Sequence, residues 1–362
     1  MHKHLAVLML VFLFSAGMLS ERSLAASGIV QYQYGDAFEA ALFAAEGDEV
    51  ALANMPSLIV GRSSATKDHD AQMGAYFDYR TIQTGIQYTQ QTREAFPFGK
   101  IVSIYFYGDK LYFLDNQKNC IHVADENGNI LNTIGVAGNA PGELMNPAAF
   151  TVVNDEIHVA DFGNKRIQIF SLEGISKETI SLSSMPEYAE YVSIGKVEDG
   201  YLLAVRTHEK QPTVYFCRID GSISEISEKT MGLIATNEND CFYIEFGQYE
   251  KYSGGFRFST GENAVFKWNG ESLVKQKTAY PYGFWIYPSA YCIDNSWYAF
   301  SGSFASVDRF DMDWNYVETI LTLQENMEEQ GFIGVSFAMS NNGKIYVFAP
   351  NFQKLYIFTP SK

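Results

Sequence analysis

Hydrophobic residues in this chain occur in short runs, each preceded by a polar turn. One run, 110–115, follows the turn Gly108-Asp109, and another, 156–161, follows Asn154-Asp155. Short runs rich in aromatic and β-branched residues are typical of β-strands, and Gly, Asn and Asp pairs are typical of tight hairpin turns. The chain also contains 27 Phe and 23 Tyr. The pattern therefore predicts an all-β protein made of many short strands.

The hairpin unit recurs six times at a nearly constant spacing. Its copies are 46, 44, 41, 55 and 48 residues apart when they are counted at Asp109, Asp155, Asp199, Asp240, Asn295 and Gly343. A four-stranded propeller blade takes roughly 40 to 50 residues. One blade cannot bury both of its faces alone, whereas blades stacked in a ring bury them against each other. The predicted fold is a β-propeller of four-stranded blades.

The number of blades depends on the N-terminal part of the chain. Residues 38–85 include a hairpin-like stretch at 47–54 and predict a seventh blade, with 29–34 as the outer strand of the last blade. The close alternative is a six-bladed ring that residues 80–95 close, with 27–78 as an appendage. The last repeat ends at Phe358 after its third strand. Both models therefore close the ring by pairing an N-terminal strand with the C-terminal strand.

The first 25 residues form a separate segment. Lys3 lies in a short basic start, residues 5–17 are apolar, and Ser23-Leu24-Ala25 places small residues where a signal peptidase cuts. The apolar run is shorter than the about 20 residues that a membrane-spanning helix needs. The sequence predicts a cleavable signal peptide at 1–25 and a secreted or extracytoplasmic bacterial protein, with an uncleaved anchor as the alternative. Residues 27–362 are then one propeller domain, with an N-terminal blade or appendage and closing strand at 27–98 and clear blades at 99–360.

Charge and cysteine content restrict the partners. Without residues 1–25 the chain has 24 basic and 41 acidic side chains, a net charge of −17. Such a surface repels phosphate backbones, so nucleic acid is excluded as a partner, and no later segment is apolar enough to span a membrane. The four cysteines, each within a strand-like run, are Cys120, Cys217, Cys241 and Cys292. We interpret them as core residues, although the sequence leaves their disulfide state open. No cofactor is predicted.

One blade carries a recognisable motif. Gly138-Asn139-Ala140-Pro141-Gly142-Glu143 precedes a strand that ends in Asp161-Phe162-Gly163-Asn164-Lys165-Arg166. This blade resembles the NHL repeat of NHL-type β-propellers. The resemblance implies a propeller, usually of six blades, that binds proteins, nucleic acids or small ligands. We interpret Asp161, Gly163, Asn164 and Arg166 as structural, with Gly163 and Asn164 tolerating a positive φ and Arg166 reaching a carboxylate or carbonyls.

The same resemblance raises an enzymatic alternative, a metal-assisted lyase or lactonase with carboxylates at the central channel. Relatives that bind zinc hold it through a histidine at the position that Lys165 occupies here. The chain after residue 25 has four histidines, His69, His122, His158 and His208, and no three share a repeat position. The candidate carboxylates of a lactonase-like site are Asp115, Glu156, Asp161 and Glu245. We interpret them as hairpin residues, so no catalytic or metal-binding residue is predicted.

Two segments that do not follow the repeat are the candidates for ligand binding. The connection 280–288 holds Tyr280, Tyr282, Phe284, Trp285 and Tyr287, and the insertion 248–263 holds Tyr249 and Tyr252. Aromatic faces stack on sugar rings and grip peptide side chains, although propellers also use aromatics for packing between blades. The predicted function is an exported, non-enzymatic binding or scaffold propeller for a protein, peptide or glycan ligand. The sequence leaves the oligomeric state open.

Overall fold

The computed structural model describes residues 58–60, 77–79, 88–94, 96–185, 189, 191–207, 212–228, 230–252, 255–259, 264–278, 286–301, 306–322, 336–350 and 353–361. Within these ranges nearly every regular element is a β-strand, and the one helical element is a 3₁₀ turn at Phe162–Asn164. In the part of the chain so described, no helix has the length and apolar character needed to cross a membrane. The predicted all-β class is confirmed.

The strands form six main sheets, which we call blades 1 to 6. Ahead of them, β1 (Leu58–Val60) pairs with β2 (Phe77–Tyr79), and β3 (Tyr88–Arg93) joins the last blade. Blade 1 contains β4 (Ile101–Tyr107), β5 (Lys110–Asp115), β6 (Cys120–Asp125) and β7 (Ile130–Ile134). A short parallel pair follows, β8 (Val136–Ala137) with β9 (Glu143–Leu144). Blade 2 contains β10 (Pro147–Val153), β11 (Glu156–Asp161), β12 (Arg166–Ser171) and β13 (Ser176–Ser181).

The remaining blades repeat this arrangement. Blade 3 contains β14 (Tyr191–Val197), β15 (Gly200–Arg206), β16 (Thr213–Arg218) and β17 (Ile223–Glu228). Blade 4 contains β18 (Thr230–Thr236), β19 (Cys241–Tyr252), β20 (Gly255–Ser259), β21 (Ala264–Trp268) and β22 (Leu273–Thr278). Blade 5 contains β23 (Ile286–Ile293), β24 (Ser296–Ser301), β25 (Ser306–Phe310) and β26 (Tyr316–Thr322). Blade 6 contains β27 (Ser336–Met339), β28 (Ile345–Ala349) and β29 (Lys354–Pro360), together with β3.

The first strand of each blade lies innermost. Each first strand contacts the first strand of the next blade, and β27 of blade 6 contacts β4 of blade 1, which closes the ring. Because blades 6 and 1 touch directly, no further blade lies between them. The described residues therefore form a six-bladed propeller, and the expected seventh blade at 38–85 is wrong. The described strands in that range, β1 and β2, pair only with each other.

The two parts of the chain that close the ring meet in blade 6. Strand β3 pairs antiparallel with β29, from Arg93 opposite Leu355 to Tyr88 opposite Pro360. A strand has two edges, and those of β29 are taken by β28 and β3. The expectation that residues 29–34 fill this place is therefore wrong, and those residues lie outside the described ranges. The alternative in which residues 80–95 close the ring is confirmed.

The core lies between the faces of neighbouring blades. The second strands are covered on both sides, so their hydrophobic runs need not alternate with polar residues. In β5, the four residues from Leu111 to Leu114 are all at most 1% exposed. Between blades 4 and 5, Trp297 stacks on Trp314 with ring centroids 4.8 Å apart. The four cysteines form no disulfide, and Cys120, Cys217 and Cys241 are buried whereas Cys292 is half-buried.

Candidate functional site

The order of the strands gives the ring two distinct ends. Turns between first and second strands lie at one end, which we call the hairpin face. Because neighbouring strands are antiparallel, the turns between second and third strands and the connections between blades lie at the other end. We call this end the connection face.

The inner strands enclose a narrow channel. Its cavity of about 50 Å³ is lined by β4, β10, β14, β18 and β23, and holds a few water molecules at most. Near the hairpin face the rings of Tyr105 and Tyr291 lie 5.3 Å apart between their centroids. The Tyr291 hydroxyl donates a hydrogen bond to the carbonyl of Ile104 over 3.2 Å, and the Tyr105 hydroxyl pairs with Thr151. These side chains narrow the channel near the hairpin face.

The motif of blade 2 builds a buried network at the connection face. Asp161 is fully buried at the end of β11. Its carboxylate accepts hydrogen bonds from the Met145 N–H at 2.7 Å, from Asn164 Nδ2 at 2.8 Å and from Arg166 Nε at 2.9 Å. Arg166 also donates to the carbonyls of Asn139, Ala140 and Glu143. The network ties the incoming connection 135–147 to the turn between β11 and β12.

The backbone of this turn differs in one respect from the expectation. The residue with positive φ is Lys165, at 50°, and neither Gly163 nor Asn164 adopts such a φ. Gly163 is required for a close approach, because a Cβ there would lie 2.6 Å from the carbonyl oxygen of Met145. The predicted tolerance of positive φ was therefore assigned to the wrong residues.

Blade 1 repeats the network with different partners. Asp115 ends β5 and accepts hydrogen bonds from the N–H groups of Gly99 at 2.7 Å and Lys100 at 3.0 Å, which belong to the incoming connection. His122 Nε2 lies 3.2 Å from the same carboxylate. Burial alone would raise the pKa of Asp115, but the bonds from His122, Gly99, Lys118 and Lys100 outweigh burial and hold that pKa well below its usual value. This carboxylate is thus already saturated by donors from the fold.

The other proposed carboxylates are spread over the ring. Glu245 is 5% exposed in β19 of blade 4. Glu156 begins β11, at the end of that strand opposite to Asp161, and forms an ion pair with Lys177 at 2.7 Å. Among the described residues, no three His, Cys, Asp or Glu side chains are placed to hold one metal ion. Asp115 and Asp161 accept hydrogen bonds from the segment that leads into their own blade. Both residues end the second strand of a blade, so the repeat accounts for their position.

A buried histidine lies between blades 2 and 3. The Nδ1 atom of His158 is 2.6 Å from the Tyr201 hydroxyl, whereas its Nε2 atom has no hydrogen-bond partner. The nearest carboxylate oxygen, of Glu156, is 3.7 Å from Nε2 and too distant for a hydrogen bond. The pKa of His158 is lowered to about 4, chiefly by burial; the charge of Glu156 opposes this shift, and the charges of Lys196 and Lys177 add to it. His158 is therefore neutral near pH 7 and is a packing residue of this interface.

Three of the candidate binding residues, Tyr249, Tyr252 and Tyr287, have described backbone positions, at or next to the connection face. Strand β19 extends beyond its pairing with β18, and its end pairs with β20, Tyr249 opposite Phe258 and Tyr252 opposite Gly255. Within the insertion 248–263, the end of β19 and strand β20 thus form an additional antiparallel pair in blade 4. Tyr287 lies in β23 opposite Phe300. Tyr280, Tyr282, Phe284 and Trp285 lie outside the described residues, in the connection that leads from β22 to β23.

These features define a six-bladed β-propeller with one elaborated face. The chain belongs to the family described as a 6-bladed beta-propeller, DUF5128, whose model matches residues 85–278. A comparison with curated proteins finds no match.

The chain is also similar to solved structures that are distant from it in sequence. A streptogramin B lyase has 14% identity and a TM-score of 0.46, covering 76% of this chain and 98% of that chain. Virginiamycin B lyase from Staphylococcus aureus has 14% identity and a TM-score of 0.44, covering 75% and 99%. The gluconolactonase XC5397 from Xanthomonas campestris has 13% identity and a TM-score of 0.47, covering 83% and 95%.

Proposed function

We propose that this protein is an exported, non-enzymatic binding propeller that holds a protein, peptide or glycan ligand at its connection face. One observation carries the proposal. The β19–β20 hairpin and the aromatic connection from β22 to β23 both leave blade 4 at the connection face. Long loops on a rigid scaffold are common carriers of binding function, and these two are neighbours in the ring.

The rest of the structure is compatible with binding outside the channel. The cavity between the inner strands has a volume of about 50 Å³, which is room for a few water molecules. The buried carboxylates Asp115 and Asp161 already accept hydrogen bonds from their own connections. The two segments that leave blade 4 at the connection face together contain nine aromatic residues.

We also propose that blade 2 is an NHL-type blade. Its support is the network in which Asp161 and Arg166 hold the connection 135–147. In blade 1 the residue corresponding to Arg166 is Cys120, and His122 corresponds to Gln168. The full motif is thus found in one blade, and the neighbouring blade keeps its aspartate anchor.

The binding proposal is tested with purified chain 26–362. Soluble oligosaccharides and a random peptide library serve as probes, and the affinity of each hit is measured by titration calorimetry. We expect Trp285→Ala combined with Tyr287→Ala to weaken binding roughly 10- to 30-fold, because aromatic anchors contribute most to interface affinity. Tyr107→Ala is the matched control, since Tyr107 lies near the hairpin face and contacts Asp155.

Two results would contradict the binding proposal. One is unchanged affinity in the double variant. The other is a stoichiometric divalent metal whose removal abolishes turnover of a lactone or streptogramin probe, which would favour the enzymatic alternative. A fluorescence melt of each variant separates a loss of binding from a loss of folding.

Export is tested separately. We propose that residues 1–25 direct secretion and are removed after Ala25. Expression of the full chain in a bacterial host is expected to give a periplasmic or secreted product whose N-terminal sequence begins at Ala26. A product that keeps Met1 and stays with the membrane would instead support the uncleaved anchor.

A further inference from the structure

Three hairpin turns of this propeller contain an asparagine followed by a glycine. The pairs are Asn127-Gly128 between β6 and β7, Asn269-Gly270 between β21 and β22, and Asn342-Gly343 between β27 and β28. At such a pair the backbone nitrogen of glycine can attack the side-chain amide carbon of asparagine, because glycine has no Cβ to obstruct the approach. The attack requires a free glycine N–H and a turn that can move. The three glycines have similar φ angles of 78°, 96° and 81°, so their surroundings decide how they differ.

Two of the three pairs are held by their surroundings. Gly128 is buried, and its N–H donates a hydrogen bond to the carbonyl of Asp125 over 2.9 Å. A Cβ at this position would lie 3.0 Å from the Leu355 side chain of blade 6, so this turn is packed against the neighbouring blade. Gly343 is half-buried, and its N–H donates to the carbonyl of Ser340 over 2.9 Å. Attack at either pair must first break a backbone hydrogen bond.

The turn around Gly270 is open. Within the described part of the chain, the N–H of Gly270 has no hydrogen-bond acceptor, and no atom lies within 4 Å of the position that a Cβ would take. The four turn residues, 269–272, are all exposed. The Gly270 nitrogen is therefore available for reaction, and the turn has room to move.

The side-chain amide of Asn269 is prepared for attack by its own turn. Its Oδ1 atom accepts hydrogen bonds from the N–H groups of Glu271 at 3.0 Å and Ser272 at 2.8 Å. Asparagine side chains readily fold over the following backbone in this way. The two donors draw electron density from the amide carbon, which makes that carbon a better target for a nucleophile. They also hold the amide over the segment of backbone that contains the Gly270 nitrogen.

We propose that Asn269 is a site of spontaneous deamidation and that it reacts faster than Asn127 and Asn342 in the folded protein. The Gly270 nitrogen loses its proton and forms a bond to the amide carbon of Asn269, while Nδ2 takes up a proton and leaves as ammonia. Water then opens the resulting succinimide ring to give aspartate or isoaspartate. One water is consumed and one ammonia is released, without an oxidant or reductant. The reaction adds a negative charge to the turn and does not depend on the proposed function.

The test is incubation of the purified chain 26–362 in mildly alkaline water enriched in heavy oxygen, followed by proteolysis in ordinary water and mass spectrometry of the fragments. Deamidation during the incubation introduces heavy oxygen, which distinguishes it from deamidation during proteolysis. In the folded chain we expect the rate at Asn269 to exceed the rates at Asn127 and Asn342 by at least roughly 5-fold, because the other two pairs must first break a backbone hydrogen bond.

The matched control is the same chain unfolded in guanidinium chloride, in which the three pairs should react at similar rates because the folded surroundings are gone. Gly270→Ala should slow the reaction at Asn269 and leave Asn127 and Asn342 unchanged, since its Cβ obstructs the attack. A fluorescence melt shows whether this variant is folded. The proposal is overturned if Asn127 or Asn342 reacts as fast as Asn269 in the folded chain, or if Asn269 stays unmodified there while it reacts in the unfolded chain.

Discussion

A chain shortened to residues 94–362 is expected to lose most of its folding stability, because it lacks the strand that closes the ring. Strand β3 supplies six register pairs to β29, and Arg93 donates to the carbonyl of Asn127 in blade 1. Backbone hydrogen bonds contribute about 1 kcal/mol each, and whole domains are stable by about 5–15 kcal/mol. The loss is therefore on the order of 5 kcal/mol. Leu355, Ile357 and Phe358 would also lie beside an open sheet edge, which promotes association.

Urea unfolding followed by tryptophan fluorescence measures this loss, and sedimentation reports association. The matched control is the fragment 80–362, which keeps β3. A synthetic peptide of residues 84–99 added in excess should restore the melting temperature of the shorter fragment, and a scrambled peptide should not. Equal stability of the two fragments would show that β3 does not hold the ring closed.

Acid is expected to weaken the protein through His158. The folded-state pKa of this histidine is about 4, against an ordinary value of 6.5. Its neutral form therefore contributes stability that is fully present above pH 6.5. As the pH falls toward 4 the unfolded chain takes up a proton that the folded chain does not, and up to about 3 kcal/mol is lost. The groups that face His158 are Tyr201, Glu156, Lys177 and Lys196.

The contribution of His158 to this pH dependence is measured by comparing the unaltered chain with the variant His158→Gln, whose side chain cannot be protonated. Between pH 7.5 and 5.0 the unaltered chain should lose about 2 kcal/mol more free energy of unfolding than the variant. The free energy comes from urea titrations at each pH. If both proteins lose the same amount, the acid sensitivity arises from other groups.

Local patterns were sufficient to predict the blades. The turn before β5 and the turn before β11 follow from Gly108-Asp109 and Asn154-Asp155, because tight turns depend on the residues within them. The apolar runs after them are buried on both faces, as expected for strands between neighbouring blades. The roles of Asp161 and Arg166 could also be predicted, since only four residues separate them and both lie at the same turn.

The number of blades could not be predicted from local sequence patterns. Residues 47–54 look like a blade hairpin by themselves. Whether such a hairpin enters the ring depends on the angle between neighbouring blades, which is set by all the side chains between them. The contact between β27 and β4 leaves no place for another blade.

Some features of the candidate sites could likewise be predicted from the sequence, and others could not. The aromatic segments stood out because they interrupt the repeat, and the structure adds that both leave blade 4 at one face. No pattern in the sequence joins His158 to Tyr201, 43 residues away, or Cys292 to Asn237, 55 residues away. Contacts of this kind join different blades, and their partners depend on how the blades are stacked.

The sequence by itself determined the hairpins, the four-stranded unit and the anchoring turn of blade 2, because each depends on residues close together in the chain. The tertiary structure decided the closing of the ring by β3, the position of the β19–β20 hairpin at the connection face and the contact of His158 with Tyr201 between blades 2 and 3. Those features depend on surfaces that meet only when the whole ring is assembled. A free strand edge or a buried face has no fixed partner until the neighbouring blade is in place.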